Sequence, residues 1–305
     1  MFGLRSQNRT TADKETSLEA LPAAVARLGK LPMLPETAHR ALALSNNPKT
    51  PLNALAALIE RDVTLATGIL KLANSPLYRI GRSVESVNQA VVRLGLRETQ
   101  SLLITTSMRT LFNKAGQAKK LQCQRLWQHS FLTACLCRQL NRTLKLGYQG
   151  EEFACGLSHD IGRILIAIGA PKQFDAVDPM SFQEGPETLA HEKTILGTDH
   201  CFFGAWFADN NDLPASLVRS IQFHHTPGEA GEHQGLVGLI ATADHMANHI
   251  QLAESVQGYE IQTNPGWFYI TLTWDDARRQ QTEEAILQVM AQASDEAMEV
   301  VKVVA

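Results

Sequence analysis

The sequence predicts an all-α protein, on three observations. Apolar residues recur three and four apart in nearly every segment, as in Leu52, Leu55, Leu58 and Ile59, and again in Leu65, Ile69, Leu70 and Leu72, which is the period of one helix face. Alternating apolar and polar runs, the mark of half-buried strands, are almost absent. Residues that open and close helices fall between the periodic segments rather than inside them.

Taken in chain order, residues 1–18 are polar and offer no core face, so they read as a flexible N-terminus with order beginning near Leu18. A helical part spans 19–115, interrupted at Leu31-Pro-Met-Leu-Pro35 and again at Asn46-Asn-Pro-Lys-Thr-Pro51, where Thr50 is expected to cap a helix and Pro51 to take its first position. Asn113 to Lys120, which contains Gly116, is the expected joint. A second helical part covers 121–250 and carries most of the histidines. After the loop Glu260 to Trp267, the region 265–305 ends in an amphipathic helix, from about Ala277 to Val304, that must pack on the body or on a partner.

Composition narrows the class. The chain has 305 residues, 44% hydrophobic and 19% charged, enough to bury a substantial core. A formal net charge of -3 provides no general attraction for nucleic acid. Cys123, Cys135, Cys137, Cys155 and Cys201 form no C-x-x-C pair and read as reduced core thiols. Without a signal-peptide pattern or an apolar run of membrane-spanning length, the expectation is a cytoplasmic protein with neither a membrane nor a nucleic acid as partner.

The chemistry concentrates in histidines and aspartates. Phe153, Leu157, Ile161, Ile164 and Ile168 fall on one stripe of a helix, and Asp160 falls on that stripe with them. A carboxylate aimed at the core requires a metal, a basic partner or a set of N–H donors, because an unpaired one costs several kcal/mol. Asp244 borders a similar apolar face formed by Leu236, Ile240, Ala243 and Ala247. His129 shares a face with Leu132, Leu136 and Leu140, and His200 with Phe203, Gly204 and Phe207. His224 and His225 follow Ile221 by three and four positions. One such histidine is ordinarily a hydrogen-bonded core residue; together with His159, the set fits a metal cleft for one or two divalent ions, Fe, Mn or Zn, since imidazole and carboxylate suit all three. His39, His191, His233, His245 and His249 stay outside the site.

The order His129, His159-Asp160, His200, His224-His225, Asp244 resembles the HD superfamily of metal-dependent phosphohydrolases and its HD-GYP branch. Leu31 to Pro35, Leu58-Ile-Glu-Arg-Asp62, Leu70 to Tyr78, Ala90 to Gly95, Trp127-Gln-His-Ser130 and Gly156 to Gly162 resemble the HDOD domain, with the likeness running from about Leu21 to His225 and HD-like features continuing to about Asn248. The resemblance implies a multi-helix HD-like bundle with an N-terminal helical subdomain, from a family of bacterial signalling proteins usually regarded as non-catalytic. Two departures bear on activity. Arg125 stands where the HD-GYP branch has a glutamate ligand, and Thr226-Pro-Gly-Glu-Ala230 replaces the Gly-Tyr-Pro signature, which argues against cyclic di-GMP hydrolysis.

Two functions therefore compete. One is a regulatory protein that binds metal at the HD-type site, turns over little or nothing, and acts on a signalling protein or by self-association. The other is a metal-dependent phosphohydrolase for a phosphodiester or a phosphorylated small molecule or nucleotide. In that case His129, His159, Asp160 and Asp244 hold one ion, His200, His224 and His225 a second, Asp160 bridges them, and Arg163 or Arg125 neutralises phosphate charge.

Overall fold

The computed structural model describes residues 36–79, 81–115, 119–178 and 186–304. The flexible N-terminus expected at 1–18, the Leu31 to Pro35 stretch and residues 116–118 of the joint lie outside the described residues. Those described form helices, with no strand among them.

Three short helices open the fold: α1 (Glu36–Ser45), α2 (Leu52–Ile59) and α3 (Val63–Ala73). Their buried residues, among them Ala38, Ala41, Leu42, Leu55, Ile59, Leu65 and Ile69, fall three or four apart, as the periodicity requires. Asp62 caps α3 by accepting from Leu65 N at 3.0 Å. Thr50 does not cap α2. Its hydroxyl donates to Leu44 O at 2.6 Å, tying back to the preceding helix, while Pro51, expected in the first helical position, has an extended ψ of 127° and itself stands at the N-cap, with the helix starting at Leu52. All three helices pack on α4 (Val87–Ala115), which breaks at Gly95, where φ is +75° and glycine alone is unstrained.

The segment after α3 divides its work between two polar side chains. Ser75 Oγ donates to Leu72 O at 2.7 Å and closes the helix end. Asn74 instead spans ten residues, donating from Nδ2 to Val84 O at 2.9 Å and accepting from Val84 N at 2.8 Å. This two-way pairing holds the loop that delivers Leu77 and Tyr78 to the core. Asn74→Ala should lower stability by about 1–3 kcal/mol, since it leaves both Val84 backbone groups unpaired; a urea midpoint equal to wild type would show that the loop holds itself.

The centre of the molecule is α5 (Lys120–Leu144), which is covered on several sides by α4, α6 (Glu151–Ser158), α12 (Gln234–Ala253) and α14 (Asp276–Val304). Arg138 on α5 joins the two parts of the chain. Its guanidinium donates to Tyr78 Oη at 3.0 Å and Glu98 Oε2 at 2.9 Å, and lies over the rings of Tyr78 and Phe153. On α14, Ile286, Val289, Met290, Ala293 and Ala297 form the buried stripe against α5, and Gln139 donates to Glu296 beside it. Between α6 and α12 run α7 (Ile161–Gly169), α8 (Pro171–Val177), α9 (Pro186–Leu196), α10 (His200–Asn210) and α11 (Ala215–Phe223); α13 (Trp267–Thr271) packs on α12. Among the described residues no helix is long and apolar enough to cross a membrane.

Candidate metal centre

The continuous helix expected through Phe153 and Ile168 is broken where the chemistry lies. Helix α6 ends at Ser158 and α7 begins at Ile161, with His159 and Asp160 in the turn between them. Asp160 has φ -99° and ψ 16°, outside the helical range. The break allows α7 to cross α10 at two glycines. A Cβ on Gly162 would stand 1.9 Å from His200 O, and one on Gly204 would stand 3.0 Å from Gly162 N. Only at this separation does the start of α10 bring His200 beside Asp160.

The histidines share one arrangement. His159 Nδ1 bonds Gly156 O at 2.8 Å, and His224 Nδ1 bonds Ile221 O at 2.9 Å, each with the carbonyl one turn behind it. His129 Nδ1 bonds Gln251 Oε1 at 2.7 Å, and His200 Nδ1 bonds Glu192 at 2.9 Å. These partners accept, so Nδ1 carries the proton and Nε2 is turned inward, the form in which imidazole binds a cation.

The inward nitrogens converge on two carboxylates. Asp244 Oδ1 lies 3.0 Å from His129 Nε2 and 3.5 Å from His159 Nε2. Asp160 Oδ2 is 3.6 Å from His159 Nε2 and 3.9 Å from His129 Nε2. The other oxygen, Asp160 Oδ1, is 3.4 Å from His200 Nε2 and 3.5 Å from His224 Nε2. With metal–ligand bonds of about 2.1 Å, the edges of a coordination polyhedron run from about 3.0 Å at right angles to about 3.4 Å in a tetrahedron. Asp244 Oδ1 to His129 and Asp160 Oδ1 to His200, at 3.0 and 3.4 Å, lie in that range, and the two 3.5 Å separations lie just outside it. His159 Nε2, His200 Nε2 and Asp160 Oδ1 are buried and make no hydrogen bond, although all three can bind a cation. The residues therefore fit a divalent metal.

The carboxylates and imidazoles of the centre shift one another's proton affinities. Burial disfavours ionised Asp160, yet His159, Arg163, His224 and His200 hold it well below the usual carboxylate range. Burial opposes ionised Asp244 as well, but the His129 and His159 imidazoles that face it keep it far below that range. Burial would lower His159, but the Asp160 and Asp244 carboxylates outweigh it and hold the imidazole up at about 9. His200 is likewise raised against burial by Cys201 and Glu192. His224 is pushed down to about 4 by burial and by His225. Two carboxylates thus lie beside two imidazoles, His159 and His200, whose pKa values are raised, and a divalent ion can supply the positive charge that those protons would carry.

The remaining candidates sit less centrally. His225 is half-buried, its ring centroid 4.1 Å from that of His224 and 5.3 Å from that of His200. Arg163 is buried and clamped, donating to Asp160 Oδ2 at 2.7 Å and, through Nε and Nη2, to Asp178 at 2.7 and 2.8 Å. Arg125 is exposed on α5, one turn before His129. His245 and His249 both turn toward Tyr259, and His39, His191 and His233 also lie apart from the cluster.

Sequence reasoning missed four side chains that touch the centre or its ligands: Glu192, Gln251, Asp178 and Cys201. Glu192, Gln251 and Asp178 are polar residues 8 positions from His200, 122 from His129 and 15 from Arg163, and no short-range spacing relates them. Cys201 reads in the sequence only as one of five reduced core thiols. Glu192 accepts from both the ring and the backbone N–H of His200, the latter at 2.7 Å. Glu192→Gln should weaken metal binding roughly ten- to a hundredfold, as loss of an outer carboxylate partner does; a competition titration with unchanged affinity would remove Glu192 from this role.

Residues 31–227 match the HDOD domain family. The chain belongs to that family. Asp244 lies beyond the matched HDOD span, although it contacts His129 and His159 inside it. Solved structures share the HDOD chain's fold. A candidate phosphohydrolase from Shewanella amazonensis SB2B superposes with a TM-score of 0.68 at 24% identity, covering 93% of this chain and 98% of that one. An HDOD domain protein of unknown function from Geobacter sulfurreducens gives 0.67 at 22% identity, covering 93% and 96%. A candidate signal transduction protein from Marinobacter aquaeolei VT8 gives 0.63 at 22% identity, covering 99% of this chain and 62% of that one. An uncharacterized protein of Treponema pallidum is 25% identical over 233 residues, which are 75% of this chain and 45% of that protein, so the HDOD chain spans less than half the length of this relative.

Proposed function

We propose that this HDOD chain is a regulatory protein whose helical body binds one or two divalent ions, Fe, Mn or Zn, at the histidine–aspartate centre, and which acts on a signalling partner or by self-association rather than by turnover. The carrying observation is Arg163. Phosphate hydrolysis gains from a side-chain cation aimed at the phosphate alongside any metal, and the buried guanidinium nearest the centre already has Asp160 on one side and Asp178 in a bidentate pair on the other. Arg125 is exposed on α5. The ligands themselves are enclosed: His129, His159 and His200 are 0% exposed and Asp160 1%. Such a centre suits metal held as a structural or sensory element.

One observation favours hydrolysis as the second reading: Asp160 offers one oxygen to each group of histidines, as a carboxylate shared by two ions does. Two bound ions would supply Lewis-acid charge to a phosphate. Protein loaded with Fe, Mn or Zn and assayed against phosphomonoesters, cyclic dinucleotides and nucleotides separates the readings. The expected result is no turnover above that of His159→Ala. Activity in wild type that vanishes with the substitution would replace the regulatory reading with the enzymatic one.

A further inference from the structure

The half of the centre built from His200, His224 and His225 contains a sulfur atom. Cys201 follows His200 in the first turn of α10, whose start is held by Asp199 accepting from Phe202 N. Its side chain is buried, and Sγ lies 3.9 Å from both ring nitrogens of His224. A donor atom from each of His200, Cys201, His224 and His225 falls within 4.8 Å of every other. In the same cluster His200 Nε2 is buried and makes no hydrogen bond.

We propose that Cys201 Sγ is a ligand in this half-site, which is thereby a thiolate-bearing site selective for Zn(II), beside a half-site formed by His129, His159 and Asp244, with Asp160 facing both. The inference rests on reading the cluster as a metal centre. With Zn–S near about 2.3 Å and Zn–N near about 2.1 Å, a tetrahedral S···N edge is about 3.6 Å, close to the separation from His224. On binding, the thiol proton leaves to solvent and sulfur coordinates as thiolate, with no change of oxidation state. Thiolate is the soft donor that separates Zn(II) from Mn(II), whereas the half without sulfur accepts either. One chain would then hold two unlike ions.

Cobalt(II) is the probe. Titrated into the full chain, it should produce cobalt d–d bands together with a thiolate-to-cobalt charge-transfer band in the near ultraviolet. Cys201→Ser should lose the charge-transfer band and keep d–d bands from the other half-site; Cys155→Ser should keep both. The preference for Zn(II) over Mn(II) should fall in Cys201→Ser by at least roughly tenfold. Wild type showing d–d bands without charge transfer overturns sulfur ligation and leaves the metal centre standing, as does a charge-transfer band that persists in Cys201→Ser. No cobalt uptake in wild type overturns both. Because a wild-type spectrum without charge transfer overturns the proposal by itself, a failure of the serine variant to fold does not protect it, and Cys201→Ala is the second variant.

Discussion

Asp160→Ala should bring bound metal to background in both halves of the centre, whereas Asp244→Ala should spare the half that contains His200 and His224. Asp160 is the residue whose two oxygens face both groups, Oδ2 toward His129 and His159 and Oδ1 toward His200 and His224. Asp244 faces only His129 and His159. Losing a shared ligand should exceed the roughly ten- to hundredfold loss that removing an outer partner causes. The metal-free protein should suffer as well. Removing Asp160 leaves His159, held at about 9 partly by this carboxylate, and Arg163 with one fewer counter-ion in a buried site, and breaking such a pair costs about 3–5 kcal/mol. Elemental analysis of wild type and both variants checks the first claim and chemical denaturation the second. Equal metal in wild type and Asp160→Ala would refute the ligand assignment.

Gly162→Ala should destabilise the fold by about 3 kcal/mol or more and disturb the centre with it. The added Cβ would meet His200 O at 1.9 Å, His200 C at 2.6 Å and His200 Cα at 2.9 Å. These are backbone atoms of α10 and cannot swing aside, so the two helices must separate, at the upper end of what overpacking costs. At roughly 2–4 °C per kcal/mol the melting temperature should drop by about 6–12 °C. His200 would move with α10, so metal affinity should fall even at temperatures where the variant is folded. A melting temperature within about 2 °C of wild type would mean that α7 and α10 cross further apart than 1.9 Å implies.

The helical class was legible because each helix buries one face, and the three- and four-residue spacing of Leu52 to Leu72 or Ile286 to Ala297 records that burial directly. The inward direction of Asp160 was legible for the same reason, since it falls among Phe153, Leu157 and Ile164. The break in the helix at His159 was not. Ala154 to Ile168 is helix-compatible throughout, and the turn answers to a backbone contact with His200, forty residues away in the chain. Thr50 shows the same limit on a smaller scale: its hydroxyl could serve the helix behind it or the one ahead, and local sequence does not distinguish them.

Residue type and order thus identified the candidate ligands, because few arrangements of a helical core tolerate so many inward histidines and aspartates. Which of them meet, and what surrounds them, depends on contacts between segments far apart in sequence. Asp178 reaches across 15 residues to hold Arg163, and Gln251 across 122 to orient His129. The five cysteines look alike as buried thiols along the chain, and it is the crossing of α10 with the end of α11 that sets Cys201 against an imidazole. Periodicity reports which way a side chain faces; only the packing of helices reports what it faces.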